Sequence, residues 1–576
     1  MTTQSEQQVV NSVSIDEPWK LVETFSKWVR EHPTDVNRAM DHVAERLRAF
    51  GVPVTMHEPT LYLSLPGKAR VEANGKTFRA KPPAYCVDTR NGFSGELVYV
   101  GANQADDIDT IFDRKLDPKG TQQARAKGKI VISEGYASPG LVSQFEELGA
   151  VGVIAINPGV DIHWGICTTV WGTPDLDDLP RKPKIPAVAV NNPDGLALIE
   201  MAKQGATVTL FAEMEEGWYK SKLPVVEIKG AQDPEKFVLL HGHLDSWDVG
   251  VGDNAVGDAT MLEIARVLWQ HRDKLARSVR IAWWPGHSTG RYAGSTWFAD
   301  AFAIDLEENC VAQINCDSPG CRWATEFTDL SRMSETDTFI SEVIRDVANK
   351  KAVGERPHRA GDYSFNNIGI SSYFMLSSTM TPEKRAEKGY YAVGGCGGNI
   401  AWHTENDTIE IADKDILLRD IKVYLLSVLR NANAEILPFD WRLTAKEFLE
   451  TIASYQKKAG DRFDFGRSRQ AAEDLLSRLE TFYADVAAGK IAPAKANRVI
   501  QDLARILVPI NFTREARFRH DPALTIPPLP TLATATELDH FDATTLGFAL
   551  NQLTRGQNRV VAALRSAARH VDLVTV

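Results

Sequence analysis

The sequence has few cysteines and no long apolar segment. Six cysteines are spread over 576 residues without a CxxC pair, which argues against a disulfide scaffold and against a zinc site made of thiolates. No uncharged apolar run approaches the roughly 18 residues that cross a bilayer, and the N-terminal segment lacks the basic and apolar regions of a signal peptide. These absences predict a cytoplasmic protein with reduced thiols and no membrane partner.

A basic surface is also missing. The chain has 65 Lys+Arg against 76 Asp+Glu, a formal net charge of -11, and no cluster of lysine and arginine stands out, so nucleic acid is not an expected partner. The hydrophobic share of 43% and the charged share of 24% are ordinary for a globular protein. The length suggests roughly two to four domains.

Changes in residue pattern divide the chain into three units. Residues 1–91 and 216–438 alternate strand-like and helical segments, which predicts a split α/β domain. Residues 92–215 carry short β-branched runs between glycines and prolines, the pattern of a β-rich insert. In residues 439–576 the apolar positions follow helical spacing and predict a helical domain.

The segment HGHLDSWDVGVGDNAVG, residues 241–257, follows the apolar run FVLL and carries the strongest functional signal. Ligand sites of open α/β sheets form at the carboxyl ends of strands. His243 and Asp245 lie on the same side of an extended segment, so the carboxylate is placed to orient a metal-binding imidazole. Asp253, just before a predicted helix, adds a hard oxygen ligand.

Two further predicted strand ends carry metal-binding side chains. Asp317 follows VAQINC, and His403 lies in AWHTENDT. Together with His243 and Asp253 they suit one zinc ion, or two if Asp253 bridges them. Any one of these residues alone would more often cap a loop, so the prediction depends on the whole set.

The ordered motifs resemble the M28 family of zinc aminopeptidases and carboxypeptidases, in particular the branch that contains glutamate carboxypeptidase II and the transferrin receptor. The matching segments are His243-Leu-Asp245, Asp253-Asn254-Ala-Val-Gly257, Trp284 to Ser295, Asp317 and His403. The resemblance implies an α/β mixed-sheet zinc aminopeptidase-like domain. It also implies that residues 92–215 are an inserted protease-associated domain and that residues 439–576 are a helical domain that forms a homodimer.

The resemblance further implies roles for individual residues. His243, Asp253 and Asp317 would bind one zinc ion, and Asp253 would bridge to a second ion beside His403. Asp245 would orient His243. Substrates would be peptides or small molecules that contain an amide bond.

The chain departs from the family where the family has two adjacent glutamates, one a zinc ligand and the other the general base. Here the residues are His287 and Ser288. A serine hydroxyl is a poor zinc ligand at neutral pH, so the zinc position beside His403 is weakened, rescued by His287, or empty. Alternatively His287 is the base, because imidazole is the side chain that ordinarily takes up and releases protons near neutral pH. It cannot fill both roles.

Three functions therefore stay open. The first is a metal-dependent hydrolase of an amide (C–N) bond with a non-standard site. The second is a catalytically inactive, dimeric binding or scaffold homologue, and the third is a metal-dependent lyase. The joint presence of two imidazoles and three carboxylates at strand ends favours metal binding, because buried unpaired carboxylates are costly.

Five residues are candidates for substrate binding. Asp362 could receive an amine and Tyr363 could cover a ring, although the same segment could be a plain turn. Asn399 and Trp402 precede His403, and Arg291 could bind a carboxylate or form a surface salt bridge. No counterpart of the arginine cluster of the glutamate-preferring members is found, which predicts a neutral or aromatic amide as substrate.

Overall fold

Two β-sheets and a helical C-terminal region organise the chain. The computed structural model describes residues 2–102, 123–359 and 361–574. Within them, no helix is long and apolar enough to cross a membrane.

The first sheet has six strands and mixed direction. Leu223–Ile228 runs antiparallel to both of its neighbours, and the next four strands are parallel to one another. In spatial order the strands are Val54–His57, Leu223–Ile228, Arg277–Trp284, Asp233–His243, Cys310–Asn315 and Ser372–Tyr373. The carboxyl ends of the parallel strands therefore lie along one edge.

Helices cover both faces of this sheet because its central strands are apolar on both sides. Along Asp233–His243, Val238 and Leu240 pack into one core and Phe237 and Leu239 into another. The helices on the first face are Asp16–Phe25, Pro33–Ala49, Val256–Gln270, Asp337–Ala348 and Lys414–Asn433. Those on the second face are Ala293–Ala301 and Ala303–Asn309.

The second sheet has seven strands and a core of its own. In spatial order they are Lys76–Ala80, Thr60–Ala73, Thr207–Lys220, Phe93–Tyr99, Ile130–Glu134, Gly152–Ile156 and Ala187–Val190. Helices Gln123–Ala126, Pro139–Glu147 and Asn192–Lys203 accompany it. Thr60–Ala73 pairs along its length with Thr207–Lys220, so this sheet extends beyond residues 92–215 at both ends.

The C-terminal region is helical, as its spacing predicts. Its long helices are Trp441–Ala459, Gly466–Ala487, Pro493–Phe512 and Ala543–Asp572. They attach to the α/β region through buried polar contacts, for example Glu335, which accepts hydrogen bonds from Ser371 (2.7 Å) and Thr444 (3.0 Å). The remaining helices and strands are Gln4–Val10, Phe327–Ser331, Ala352–Glu355 and Pro382–Lys388.

Candidate metal centre

Three metal-binding side chains meet at the carboxyl edge of the six-stranded sheet. His243 ends its strand, while His287 and Asp317 follow the two neighbouring strands. One ligand atom from each residue lies within 4.8 Å of the others, and all three residues are buried. The adjacent parallel strands thus place a nitrogen–nitrogen–oxygen set at one point of the edge.

Asp253 joins this cluster to His403. Its Oδ1 lies 2.9 Å from His243 Nε2, and its Oδ2 lies 3.1 Å from His403 Nε2. Asp317 Oδ2 lies 3.5 Å from the same His243 nitrogen. The structure therefore brings together all five residues that were expected to bind metal.

Each of the three imidazoles has its Nδ1 nitrogen beside a group that only accepts hydrogen bonds. The pairs are His243 with the backbone oxygen of Asp245 (2.8 Å), His287 with Asp362 Oδ2 (2.8 Å), and His403 with the backbone oxygen of Trp164 (3.0 Å). Nδ1 must therefore carry the proton, and Nε2 of each neutral ring keeps its lone pair. This is the usual arrangement for histidines that bind metal through Nε2.

The charges in the cluster are strongly coupled. Burial disfavours a charged imidazole, but the nearby carboxylates of Asp253 and Asp317 outweigh it and hold the pKa of His243 well above its ordinary value. Burial likewise opposes the charge of Asp253, yet His243 and His403 hold the pKa of that carboxyl well below its ordinary range. His243 Nε2 and Asp253 Oδ1 have no hydrogen-bond partner by geometry among the described residues. Such a buried set fits a divalent cation with nitrogen and carboxylate ligands.

Asp245 orients the site differently from the prediction. Its backbone oxygen, and not its carboxylate, accepts the hydrogen bond from His243. The carboxylate accepts from the backbone N–H groups of His287 (2.9 Å) and Ser288 (3.0 Å). Asp245 therefore orients the His243 imidazole through its backbone oxygen and holds the backbone of the neighbouring loop at His287 through its carboxylate.

Both carboxylate oxygens of Asp362 are engaged by protein groups, one of them by His287. It is fully buried, and its second oxygen accepts from Ser295 Oγ at 2.7 Å. Burial opposes its charge, but His287 and Ser295 hold the pKa of Asp362 below its ordinary value. The ionised carboxylate therefore fixes the tautomer of His287, and the expected role in amine binding does not match these contacts.

Two of the other four candidates for substrate binding line a cavity of about 40 Å³, and two do not. Arg291 and Trp402 line it, together with Asp253, His287, Asp317 and His403. The Trp402 ring stacks on the His403 ring, with centroids 3.7 Å apart. Tyr363 and Asn399 are buried and are not among the lining residues.

The second sheet contributes to the same cavity. In addition to accepting from His403, Trp164 donates its backbone N–H to the His403 carbonyl at 2.9 Å. The His163 ring lies 2.6 Å from the Trp402 carbonyl and 2.9 Å from the Tyr391 hydroxyl. Tyr136, from the same sheet region, also lines the cavity. The segment around residue 164 thus holds the loop that carries His403.

Two residues that support the metal-binding loops were not predicted from the sequence. The buried guanidinium of Arg30 donates to five backbone carbonyls, those of Phe25, Trp28, Leu244, Val249 and Gly250. Asp407 accepts from the backbone N–H groups of Gly252 (2.7 Å) and Asp253 (2.9 Å). The sequence gives no indication of the role of Arg30, because three of its partners lie more than 200 positions away. The role of Asp407 could have been suspected, because it lies four positions after His403.

A mixed sheet with imidazoles and carboxylates at the ends of its parallel strands defines a metal-binding protein of the α/β class. Residues 225–427 match the model of peptidase family M28, which confirms the resemblance predicted from the sequence. The matched range includes all five residues that were expected to bind metal.

Curated relatives and solved structures agree with this assignment. The chain is 24% identical to "Probable glutamate carboxypeptidase VP8" of Zea mays over 72% of its own length and 66% of the relative. It is 27% identical to carboxypeptidase Q of Rattus norvegicus over 30% of its own length and 39% of the relative. The chain therefore spans less than two thirds of the length of each of these two relatives.

Among solved structures, a zinc aminopeptidase from Bacillus subtilis superposes with a TM-score of 0.54 at 18% identity, over 73% of this chain and 96% of that one. An aminopeptidase from Aneurinibacillus sp. strain AM-1 gives a TM-score of 0.53 at 19% identity, over 74% and 96%. These similarities concern the fold, and they confirm the mixed α/β architecture of the M28 zinc aminopeptidases.

Proposed function

We propose that this protein is a zinc-dependent hydrolase of an amide bond in a peptide or small molecule. The observation that carries the proposal is the common orientation of His243, His287 and His403, each with Nδ1–H engaged and Nε2 free to bind metal. The carboxylates of Asp253 and Asp317 complete the ligand set. Zinc held there would supply a Lewis acid that polarises a carbonyl group and makes water more acidic.

His287 fits the role of ligand better than that of base. Its ring stacks on the His243 ring with centroids 3.8 Å apart, and its ligand atom groups with those of His243 and Asp317. Because Asp362 engages Nδ1, only Nε2 is left, and one lone pair cannot both bind metal and accept a proton. His287 would therefore bind the same metal ion as His243 and Asp317, and not an ion beside His403.

One observation favours a second candidate function. None of the described residues that line the cavity is a glutamate, so the usual carboxylate base of a hydrolase has no counterpart there. An inactive binding homologue, or a lyase that uses metal without that base, would also fit this composition. The proposed hydrolase would therefore need a proton acceptor other than a cavity-lining glutamate.

The proposal also covers the seven-stranded sheet and the C-terminal helices. We infer that the seven-stranded sheet is a protease-associated domain that shapes the cavity, and that the C-terminal helices form a homodimer. The separate core of the sheet and its contacts with the His403 loop support the first inference. Light scattering at several protein concentrations tests the second: a mass of one chain throughout would reject it.

The direct test combines metal content with activity. Purified protein is loaded with zinc, dialysed and assayed for bound metal and for hydrolysis of dipeptides, N-acyl amino acids and aryl amides. We expect bound zinc and hydrolysis in the natural protein, and loss of both in His287→Ala but not in the matched control His540→Ala, since His540 is exposed. Zinc without hydrolysis would favour the second candidate, and no zinc would reject both metal-dependent functions.

A further inference from the structure

Arg291 is a buried cation with unused hydrogen-bond donors at the wall of the metal cavity. Its side chain lines the cavity, only 3% of the residue is exposed, and its Nε and Nη2 atoms have no hydrogen-bond partner among the described residues. A buried guanidinium without a partner is costly, so a protein that retains one is expected to bind an anion with it.

None of the described acidic residues around the cavity forms an ion pair with Arg291. Asp362 is engaged by His287 and Ser295, and Asp253 and Asp317 are directed at His243. The guanidinium lies over the face of the Tyr292 ring, with its carbon 4.7 Å from the ring centroid. This cation–π contact stabilises a buried positive charge less than a carboxylate would.

The backbone holds Arg291 in a defined place. Arg291 and Tyr292 both have left-handed backbone angles, with φ of 45° and 73°, a strained arrangement that surrounding contacts must maintain. Those contacts include hydrogen bonds from Gly172 N–H to the Arg291 carbonyl (2.6 Å) and from Tyr292 N–H to the His287 carbonyl (3.0 Å). The backbone that carries the guanidinium is therefore held in place next to His287.

The guanidinium and the metal cluster line the same cavity and share a neighbour. The Tyr292 ring centroid lies 4.7 Å from the guanidinium carbon of Arg291 and 4.9 Å from the centroid of the His287 ring. A carboxylate on Arg291 and an amide carbonyl at the metal cluster would thus belong to neighbouring parts of one small molecule. The cavity of about 40 Å³ also suits a small group at this end.

We propose that Arg291 binds a carboxylate of the substrate, so that the amide bond to be cleaved lies next to a residue with a free carboxylate, as in a dipeptide or an N-acyl amino acid. The planar fork of a guanidinium matches a carboxylate with two parallel hydrogen bonds. The inference rests on the proposed function, and it replaces the sequence-based expectation of a neutral or aromatic amide with an anionic substrate.

The kinetic test compares N-acetyl-alanyl-alanine with its C-terminal carboxamide. We expect kcat/KM to favour the free acid by roughly 30-fold or more in the natural enzyme, because losing one partner of a buried charge pair has an effect of at least that size. The acid-to-amide ratio should fall towards one in Arg291→Met and lie between in Arg291→Lys. The control Arg565→Met removes an exposed arginine and should keep the natural ratio.

A binding test separates this inference from the proposed function. Calorimetry measures N-acetylalanine and N-acetylalaninamide against the natural protein, Arg291→Met and Arg291→Lys, each checked for a cooperative thermal transition. Preference for the acid that is lost in Arg291→Met supports the carboxylate site even if no substrate is hydrolysed, in which case only the proposed function fails. Hydrolysis with the same acid-to-amide ratio in all three proteins, or no preference for the acid in either assay, overturns the inference.

Discussion

The two sheets contribute to the cavity in different ways. The six-stranded sheet supplies ligand side chains, such as His243 and Asp317, at the ends of its strands. The seven-stranded sheet supplies backbone and aromatic contacts, chiefly the Trp164 carbonyl that fixes the His403 ring. The difference shows that one sheet determines which ligands are present and that the other determines how one of them is oriented.

The largest effect is expected from removing the residue that joins the two halves of the metal cluster. Asp253 contacts both His243 and His403, so Asp253→Ala should abolish tight zinc binding and lower kcat/KM by more than about 100-fold, beyond the loss typical of residues that only orient ligands. Zinc content and activity are measured together. Asp273→Ala, which alters an exposed aspartate, is the matched control, and normal zinc binding by Asp253→Ala would refute the ligand assignment.

A smaller effect is expected where a carboxylate orients a ligand within the first sheet. Asp362→Asn keeps an acceptor for His287 Nδ1 but removes the negative charge that the imidazole now faces. We expect zinc affinity to fall about 10- to 100-fold, measured by competition with a chelator. Asp273→Asn should leave affinity unchanged, and an equal affinity in both variants would show that Asp362 is not a positioning residue.

The contribution of the second sheet is tested at His163. His163→Ala removes the hydrogen bonds to the Trp402 carbonyl and the Tyr391 hydroxyl, which should lower the free energy of unfolding by about 1–3 kcal/mol because a buried carbonyl loses its donor. Zinc affinity should fall less than in Asp362→Asn. Chemical denaturation measures the first effect against the exposed control His540→Ala, and unchanged stability would contradict the proposed link between the sheets.

The smallest effect on zinc binding is expected at Glu335, which lies away from the cavity. Burial raises the pKa of this carboxyl from an ordinary 4.5 to about 7, against hydrogen bonds from Ser371 and Thr444. Between these values the unfolded chain has released the proton while the folded chain retains it, so stability should fall as pH rises from 4.5 to 7. Glu335→Gln should remove this part of the pH dependence. An identical slope in both proteins, measured by denaturation at several pH values, would contradict the shifted pKa.

The sequence predicted the parts of the site that depend on residue type near strand ends, but among the described residues turns, and not the expected strand, lead into His403. His243, Asp253, Asp317 and His403 were identified because strand, loop and helix-start patterns are local. His287 was recognised as the main departure, but its two roles could not be separated, since the Asp362 contact that engages Nδ1 comes from a segment 75 positions away.

The remaining features could not be predicted for physical reasons. The backbone oxygens of Asp245 and Trp164 orient imidazoles, and a backbone oxygen carries no residue identity that a motif could reveal. The extent of the second sheet was underestimated because Thr60–Ala73 finds its partner strand only near residue 210. The homodimer and the cytoplasmic location stay predictions.

The central claim is that His287 is a zinc ligand beside His243 and Asp317. Anomalous diffraction at the zinc edge, from crystals of the zinc-loaded protein, tests it most directly. We expect a zinc peak roughly 2.0–2.2 Å from Nε2 of both histidines and from a carboxylate oxygen of Asp317. A peak that lacks His287 as ligand, or no peak at this cluster, would contradict the account.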